Sequence, residues 1–382
     1  MKRVLVTGGA GFIGSHLTRR LVRNGYHVTL LDNFLPQVHG ESKSLPEDLH
    51  GKVDLVVGDV RDRAVLHGAM IEKDVVVHLA AETGTGQSMY EPVRYEQVNI
   101  GGTALLLDFI INNQKSVVSK MVVASSRAIY GEGKYLCNTH GEVYPEARDI
   151  ADLKAGEYEP KCPVCGESCS VLATDEVAII HPSSLYGITK QVQEQMILMY
   201  GRSLNISAYA LRYQNVYGPG QSLKNPYTGI LAIFSNLARY GKTINVFEDG
   251  VESRDFVYIE DVVDATMRCI DPSNKGVDAF NVGSGSQTSV LKLTQEIIKA
   301  LKSSSSIRIS GDFRVGDIRH NYADMAKIKR EIGFEPKWRF SEGIKEFLKY
   351  DEPSFEICDS YNNSIAEMKR AGLYFPSNKS SV

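Results

Sequence analysis

The chain has 382 residues, 43% of them apolar and 23% charged, with a formal net charge of −3. That length holds one large domain or two ordinary ones, and the composition is that of a globular protein. There is no basic excess to suggest a nucleic-acid partner, and no apolar run near the roughly 20 residues that span a bilayer, so no membrane partner is expected.

The opening "MKRVLVTGGAG" has two basic residues and an apolar stretch that glycines cut short. It reads as a buried strand at 3–8 rather than a secretory leader. A reducing cytoplasm is then expected, where cysteines serve as thiols or metal ligands rather than disulfides. After the strand, Ile13, Leu17 and Leu21 recur at helical spacing. Continuous apolar strands are predicted at 27–32, 53–59, 74–81 and 120–126, with a helix at 99–113 before the last. Such alternation indicates an α/β fold, a doubly wound parallel sheet of Rossmann type. The pattern stops near Gly131. Residues 134–177 are polar and broken, and regularity returns with a helix at 183–204 and a strand at 206–213. After Gly218 the elements shorten and mix.

Gly8, Gly11 and Gly14 form a Gly-x-x-Gly-x-x-Gly fingerprint between the first strand and helix. Gly8 permits the tight turn, Gly11 lets backbone amides approach a pyrophosphate, and Gly14 lets the helix pack on the strand. Asp32 stands 18 residues past Gly14, where a carboxylate accepts hydrogen bonds from an adenosine ribose and repels a 2′-phosphate. The expected cofactor is therefore NAD. Phe12 and Ile13 within the fingerprint, Asn33 beside Asp32, and Asp59 and Val60 at the end of the third strand complete that side of the site. The domain reading follows: 1–133 as the first part of the NAD-binding domain, 134–177 as an insertion, and 178–217 as the return to that domain with a catalytic helix. Residues 218–376 are expected to form mainly a smaller α/β substrate domain, with segments returning to the main sheet, and 377–382 a flexible tail.

"SSLYGITK" supplies Tyr186 and Lys190, four apart on one helical face. An ammonium and an oxidised nicotinamide beside a phenol favour the phenolate, which can take a proton from a sugar hydroxyl. Ser126, ending a sheet strand, can hydrogen-bond the same oxygen.

With the fingerprint, "HLAA" (78–81), "SSRAIYG" (125–131), "SSLYGITK" and "LRYQNVYGPGQ" (211–221), the chain resembles the extended short-chain dehydrogenase/reductases, among them the nucleotide-sugar epimerases and dehydratases. "ESRDFVYIEDVVDA" (252–265) and "VGDIRHNYADMAKIKREIGFEP" (315–336) continue the likeness, which spares only 134–177. The resemblance implies a tightly held NAD bordered by Leu79, Ala80 and Ala81, and Asn99 supporting the active-site backbone. It also implies a homodimer through a helical bundle and a nucleotide-diphospho-sugar substrate. It assigns Ser126, Asn215, Arg254 and Arg319 to that substrate, with Gln87 or Tyr90 near the sugar.

In the dehydratases of this group two acids follow the serine or threonine that touches the sugar. Here Arg127 and Ala128 stand in their places. Alanine transfers no proton and arginine keeps its own, which favours 4-epimerisation through a transient 4-keto sugar. "SSRAIYGEGKYLC" with a cysteine-bearing insertion is similar to the dTDP-L-rhamnose 4-epimerase subgroup, whose product is dTDP-6-deoxy-L-talose. The alternatives are a UDP-glucose 4-epimerase, a dTDP-glucose 4,6-dehydratase and a non-catalytic NAD sensor on the same fold.

Four of the six cysteines lie between Cys137 and Cys169. Cys137-x-x-His140 and Cys162-x-x-Cys165 have the spacing of a tetrahedral Cys₃His zinc site, which suggests a zinc-ribbon-like insertion stapled by a structural metal. Cys169 is a spare that can replace Cys137 or His140. His181 reads as a residue flanking the helix.

Overall fold

A computed structural model of the chain describes residues 2–221, 229–350 and 355–377, with side chains given outside 355–362. Nearly all of the tail expected at 377–382 lies outside the described residues. Five strands precede the insertion: β1 (Arg3–Thr7), β2 (His27–Asp32), β3 (Asp54–Val57), β4 (Val75–His78) and β5 (Lys120–Ser126). Within the insertion, β6 (Tyr135–Cys137), β7 (Gly141–Val143) and β8 (Ser170–Val171) form an antiparallel sheet in the order β7-β6-β8. Then come β9 (Ser207–Tyr213), β10 (Asn215–Tyr217), β11 (Ile244–Val246), β12 (Ser253–Arg254), β13 (Phe256–Tyr258) and β14 (Val277–Val282).

Among the described residues, seven parallel strands form the main sheet in the order β14-β9-β5-β4-β1-β2-β3. Chain order reverses between β1 and β4, and a crevice at the carboxyl ends of such strands is where an open α/β sheet binds its ligand. The strands are apolar on both faces because helices cover both. Val4, Val6, Val75 and Val77 enter one core with Leu17 and Leu21, and Leu5, Val76 and Val123 enter the other with Leu106 and Leu107. Each fully buried side chain of this size stabilises by about 1.5–3 kcal/mol.

The helix expected at 99–113 begins differently. Glu96–Gly101 is wound as a wider π turn before the regular helix Gly102–Asn112. Such turns are rare and gather at functional sites, and Asn99 lies in this one. Ser184 caps the helix Leu185–Leu204 by accepting a hydrogen bond from the Gly187 amide.

The insertion has a small core of its own, Tyr135, Cys137, Val143, Cys162 and Cys169. It is seated on the later part of the chain by buried charges. Arg148 makes two hydrogen bonds to Glu248 (2.9 and 2.8 Å) and donates to the carbonyl of Asp317 at 2.8 Å. Glu159 accepts from Arg319 at 2.8 Å and lies 3.2 Å from His320. Glu252, nearby and 8% exposed, has one carboxylate oxygen without a hydrogen bond. Burial, with Glu248 adding, pushes its pKa up to about 8. A carboxyl with a raised folded-state pKa stabilises fully below its unfolded pKa and loses that contribution as pH rises to about 8. Glu252→Gln is therefore expected to match the parent in Tm at pH 5 and exceed it by about 2 °C at pH 9, measured by calorimetry.

Candidate active site

The glycine turn is built as the fingerprint requires. Gly8 has φ +67, and a Cβ there would sit 2.8 Å from the Ala80 nitrogen. A Cβ on Gly14 would fall 2.3 Å from the Gly8 carbonyl oxygen, so the helix packs on the turn only without a side chain. At Gly11 only the Gly8 oxygen lies near, at 3.3 Å, and this residue faces a cavity of about 460 Å³. Gly8, Gly11, Phe12, Ile13, Gly14, Asp32, Asn33, Asp59, Val60, Leu79, Ala80 and Ala81 all line that cavity.

The Asp32 carboxylate accepts from the amides of Ala10 (3.0 Å) and Phe34 (2.9 Å), which fixes its direction. Asn33 donates to Asp59 at 3.1 Å. Hydrogen bonds from Arg61 hold the Asp59 carboxyl down at about 2. His39 stands 3.5 Å from Asp32 and also lines the cavity. It ends the short helix Pro36–His39 after β2, too short to carry a periodic signal, so sequence reasoning missed it.

At the other end of the same cavity stand Ser126, Tyr186 and Lys190. Sixty positions separate Ser126 from Tyr186 in the chain, yet β5 and the helix Leu185–Leu204 bring them together. The Tyr186 amide donates to Ser88 Oγ at 3.0 Å, a second anchor that sequence reasoning missed. Lys190 Nζ donates to the Ala124 carbonyl at 2.9 Å, and burial lowers its pKa to about 7. Burial raises the Tyr186 phenol, while a hydrogen bond with Ser126 and the charge of Arg127 pull it down.

Asn99 lines no part of the cavity but ties it together. Its Oδ1 accepts from the Glu82 amide at 2.8 Å, and its Nδ2 donates to the Glu82 carbonyl (3.1 Å) and to Thr189 Oγ1 (2.9 Å). The π turn aims this amide between the loop after β4 and the catalytic helix. His78 is a satisfied core histidine, between Thr7 Oγ1 at 2.7 Å and Thr103 Oγ1 at 3.1 Å. Burial and the nearby Lys190 lower its pKa to about 3.

The substrate residues divide. Asn215 lines the cavity and accepts from Arg127 Nε at 2.8 Å. Arg254 donates to the carbonyls of Ser253, Ile318 and Arg319 at 2.7–2.9 Å. Arg319 corrects its assignment to the diphosphate. It is 1% exposed, its guanidinium is engaged by Glu159, Glu248 and Asp249, and it does not line the cavity. The sequence shows a basic residue in a loop but not the three acids, from two segments, that gather around it. Gln87 and Tyr90 are likewise absent from the lining. Gln87 is bonded to Gln37 and Glu91, and Tyr90 donates to Glu367.

In the insertion, ligand atoms of Cys137, His140, Cys162 and Cys165 all lie within 4.8 Å of one another. Cys137 Sγ is 3.6 Å from His140 Nδ1 and 3.7 Å from Cys165 Sγ, and Cys162 Sγ is 3.6 Å from the same His140 nitrogen. Zinc bonds of about 2.3 Å to sulfur and 2.0–2.1 Å to nitrogen give tetrahedral edges of roughly 3.8 and 3.6 Å. These residues thus fit a tetrahedral ion. Cys169 stays outside the cluster, its Sγ 3.6 Å from the Glu167 carbonyl, and burial pushes its thiol up to about 11. His181 is 2.9 Å from Glu146. No residue of 134–177 lines the main cavity.

Comparison with known proteins agrees with this geometry. Residues 5–146 match the GDP-mannose 4,6 dehydratase family model, and residues 162–283 match that of the NAD dependent epimerase/dehydratase family. A dTDP-L-rhamnose 4-epimerase of Burkholderia thailandensis is 39% identical over 90% of this chain and 93% of its own. The chain belongs to the NAD-dependent epimerase/dehydratase family. A putative UDP-glucose 4-epimerase of Methanocaldococcus jannaschii is 32% identical, over 91% of this chain and 97% of the relative. Among solved structures, the UDP-glucose 4-epimerase of Thermotoga maritima with UDP-glucose superposes with a TM-score of 0.73 at 30% identity, covering 91% of this chain and 98% of that one. The UDP-glucuronic acid 4-epimerase of Bacillus cereus, in complex with UDP-glucuronic acid and NAD, also gives 0.73, at 25% identity, over 91% and 98%. The expected fold and family are thus borne out.

Proposed function

We propose that this chain is an NAD-dependent nucleotide-sugar 4-epimerase acting through a transient 4-keto sugar, with dTDP-L-rhamnose as the substrate and dTDP-6-deoxy-L-talose as the product. The observation that carries the chemistry is one cavity lined at one end by the glycine turn and Asp32, and at the other by Ser126, Tyr186 and Lys190. Gly8–Gly14, Asp32 and Ala80 would hold NAD, which would supply the reversible oxidation at C4. Tyr186 takes the proton from the C4 hydroxyl and returns it, Ser126 hydrogen-bonds that oxygen, and Lys190 supplies positive charge. Asn215 contributes a polar contact to the substrate, and Arg254 lends charge to the diphosphate side.

Dehydration is less well supported. The carboxylates among the described cavity residues are Asp32, Asp59 and Glu82. The first two lie at the adenosine end, and Glu82 is paired with Arg94 at 2.8 Å. Next to Ser126 stand Arg127 and Ala128, so no acid is placed to expel water from the sugar. The choice of dTDP-L-rhamnose rests on the Burkholderia relative; UDP-glucose is the second reading, supported by the Thermotoga structure. Incubation with dTDP-L-rhamnose, UDP-glucose and dTDP-glucose, followed by NMR, tests this. The expected product is the C4 epimer of dTDP-L-rhamnose. A 4-keto-6-deoxy product from dTDP-glucose would overturn the epimerase reading, and an NAD-loaded protein inert to all three would favour a sensor.

The Cys137, His140, Cys162, Cys165 cluster is read as a structural zinc site. Four protein ligands leave no open coordination position, and the proposed proton transfers require no metal. A reducing cytoplasm suits these unpaired thiols. Among the described residues no helix is long and apolar enough to cross a membrane. The homodimer is supported by exposed apolar side chains on neighbouring helices, Ile111 on one and Ile188 and Met199 on the other, each 41–50% exposed.

A further inference from the structure

The proposed reaction leaves Arg127 without a task, although it sits in the middle of the site. It follows Ser126 directly, opens the short turn Arg127–Tyr130 and lines the cavity beside Tyr186. Its Nε donates to Asn215 Oδ1 at 2.8 Å. Asn215 belongs to β10, which is paired in register with β13, so the guanidinium is aimed from a fixed strand. One bond to Nε orients the whole planar group while leaving its terminal nitrogens outside that contact.

The surroundings say what such a cation does. Tyr186 shares the cavity with Lys190 of its own helix, and is faced by Ser126 and Arg127 from β5 and the following turn and edge-on by Tyr95 at 6.5 Å. Around Arg127 itself lie Arg254, Asp317 and Glu132. Lys190 is buried, with its pKa brought down to about 7, so its charge at neutral pH is incomplete. Burial, with Arg254 adding, lowers Arg127 to about 9, which leaves it cationic there. A buried phenol needs a positive neighbour to ionise, and at neutral pH the guanidinium is the fuller charge of the two.

We propose that Arg127, positioned by Asn215, is the second cation of the active site and favours the Tyr186 phenolate. The inference rests on the reading of Tyr186 as the proton-transfer group. It gives "SSRAIYG" a positive meaning: the arginine both displaces a dehydratase acid and supports the epimerase base.

Titration of the NAD-loaded protein, carrying ¹³C at the tyrosine Cζ, tests this without any sugar. Tyr186→Phe identifies the signal. Arg127→Met is expected to raise the Tyr186 midpoint by about one unit, a tenfold smaller phenolate fraction near pH 7. Arg127→Lys should recover most of the shift, and Asn215→Ala should show part of it. With a turned-over sugar, the acid limb of kcat/KM should move up by the same amount, and activity should return at higher pH. An unmoved midpoint in folded, NAD-loaded Arg127→Met would overturn the proposal. Should that variant not fold, Arg127→Gln carries the same two outcomes. A moved midpoint in a protein inert to every sugar would refute the epimerase reading and leave this one standing.

Discussion

Replacing Tyr186 by phenylalanine is expected to lower turnover of the sugar by about two to four orders of magnitude, the usual contribution of a positioned acid–base group. The ring is not what is lost. Tyr186 packs edge-on to Tyr95 at 6.5 Å, and its amide is held by Ser88, and phenylalanine keeps both. The bonds that hold the cavity wall, from the Ala10 amide to Asp32 and from Lys190 to the Ala124 carbonyl, do not involve the phenol. NAD should therefore remain bound, as measured by cofactor released on denaturation. The pH dependence has a definite sign. Burial raises the phenol above its ordinary value, so activity should rise with pH as Tyr186 ionises. Undiminished turnover in Tyr186→Phe would remove Tyr186 from the mechanism.

Loss of the proposed zinc is expected to have the largest structural effect. Elemental analysis should find about one zinc per chain, as a four-ligand structural site holds one ion. The core of the insertion, five buried side chains, is too small to order this many residues alone. Stripping the metal, or Cys162→Ser, should therefore expose 134–177 to protease and remove amide protection from β6 and β7. The damage should spread through the seat. Arg148 pairs with Glu248, both buried, and part-exposed Glu159 pairs with Arg319; breaking a buried pair such as the first from one side costs about 3–5 kcal/mol. Arg254 donates to the carbonyls of Ile318 and Arg319, on the segment that Arg148 and Glu159 clamp. Sugar affinity should fall more than NAD affinity. Metal-free protein with a protected insertion would refute the zinc reading.

Much of the site could be read from the order of residues because its parts are local. The glycine turn needs Gly8 and Gly14 within seven positions of each other, and its geometry leaves no room for any other residue at either. Asp32 follows by one helix, one turn and one strand. Tyr186 and Lys190 share a helical face through spacing alone, and Cys137-x-x-His140 and Cys162-x-x-Cys165 each close a local turn.

What lay beyond the sequence was which distant charges meet. Arg319 reads as a cation free for a phosphate, yet Glu159 from the insertion and Glu248 and Asp249 from another loop consume it. Arg127 reads as a missing acid, and only the fold shows that its Nε is held by Asn215, 88 positions away. Asn99 acquires its reach from a π turn that periodicity does not signal. Backbone turns and helix faces are dictated by a few neighbouring residues. The partners of a buried charge are chosen by the whole fold, because a low-dielectric interior forces each charge to find its opposite wherever the chain brings one.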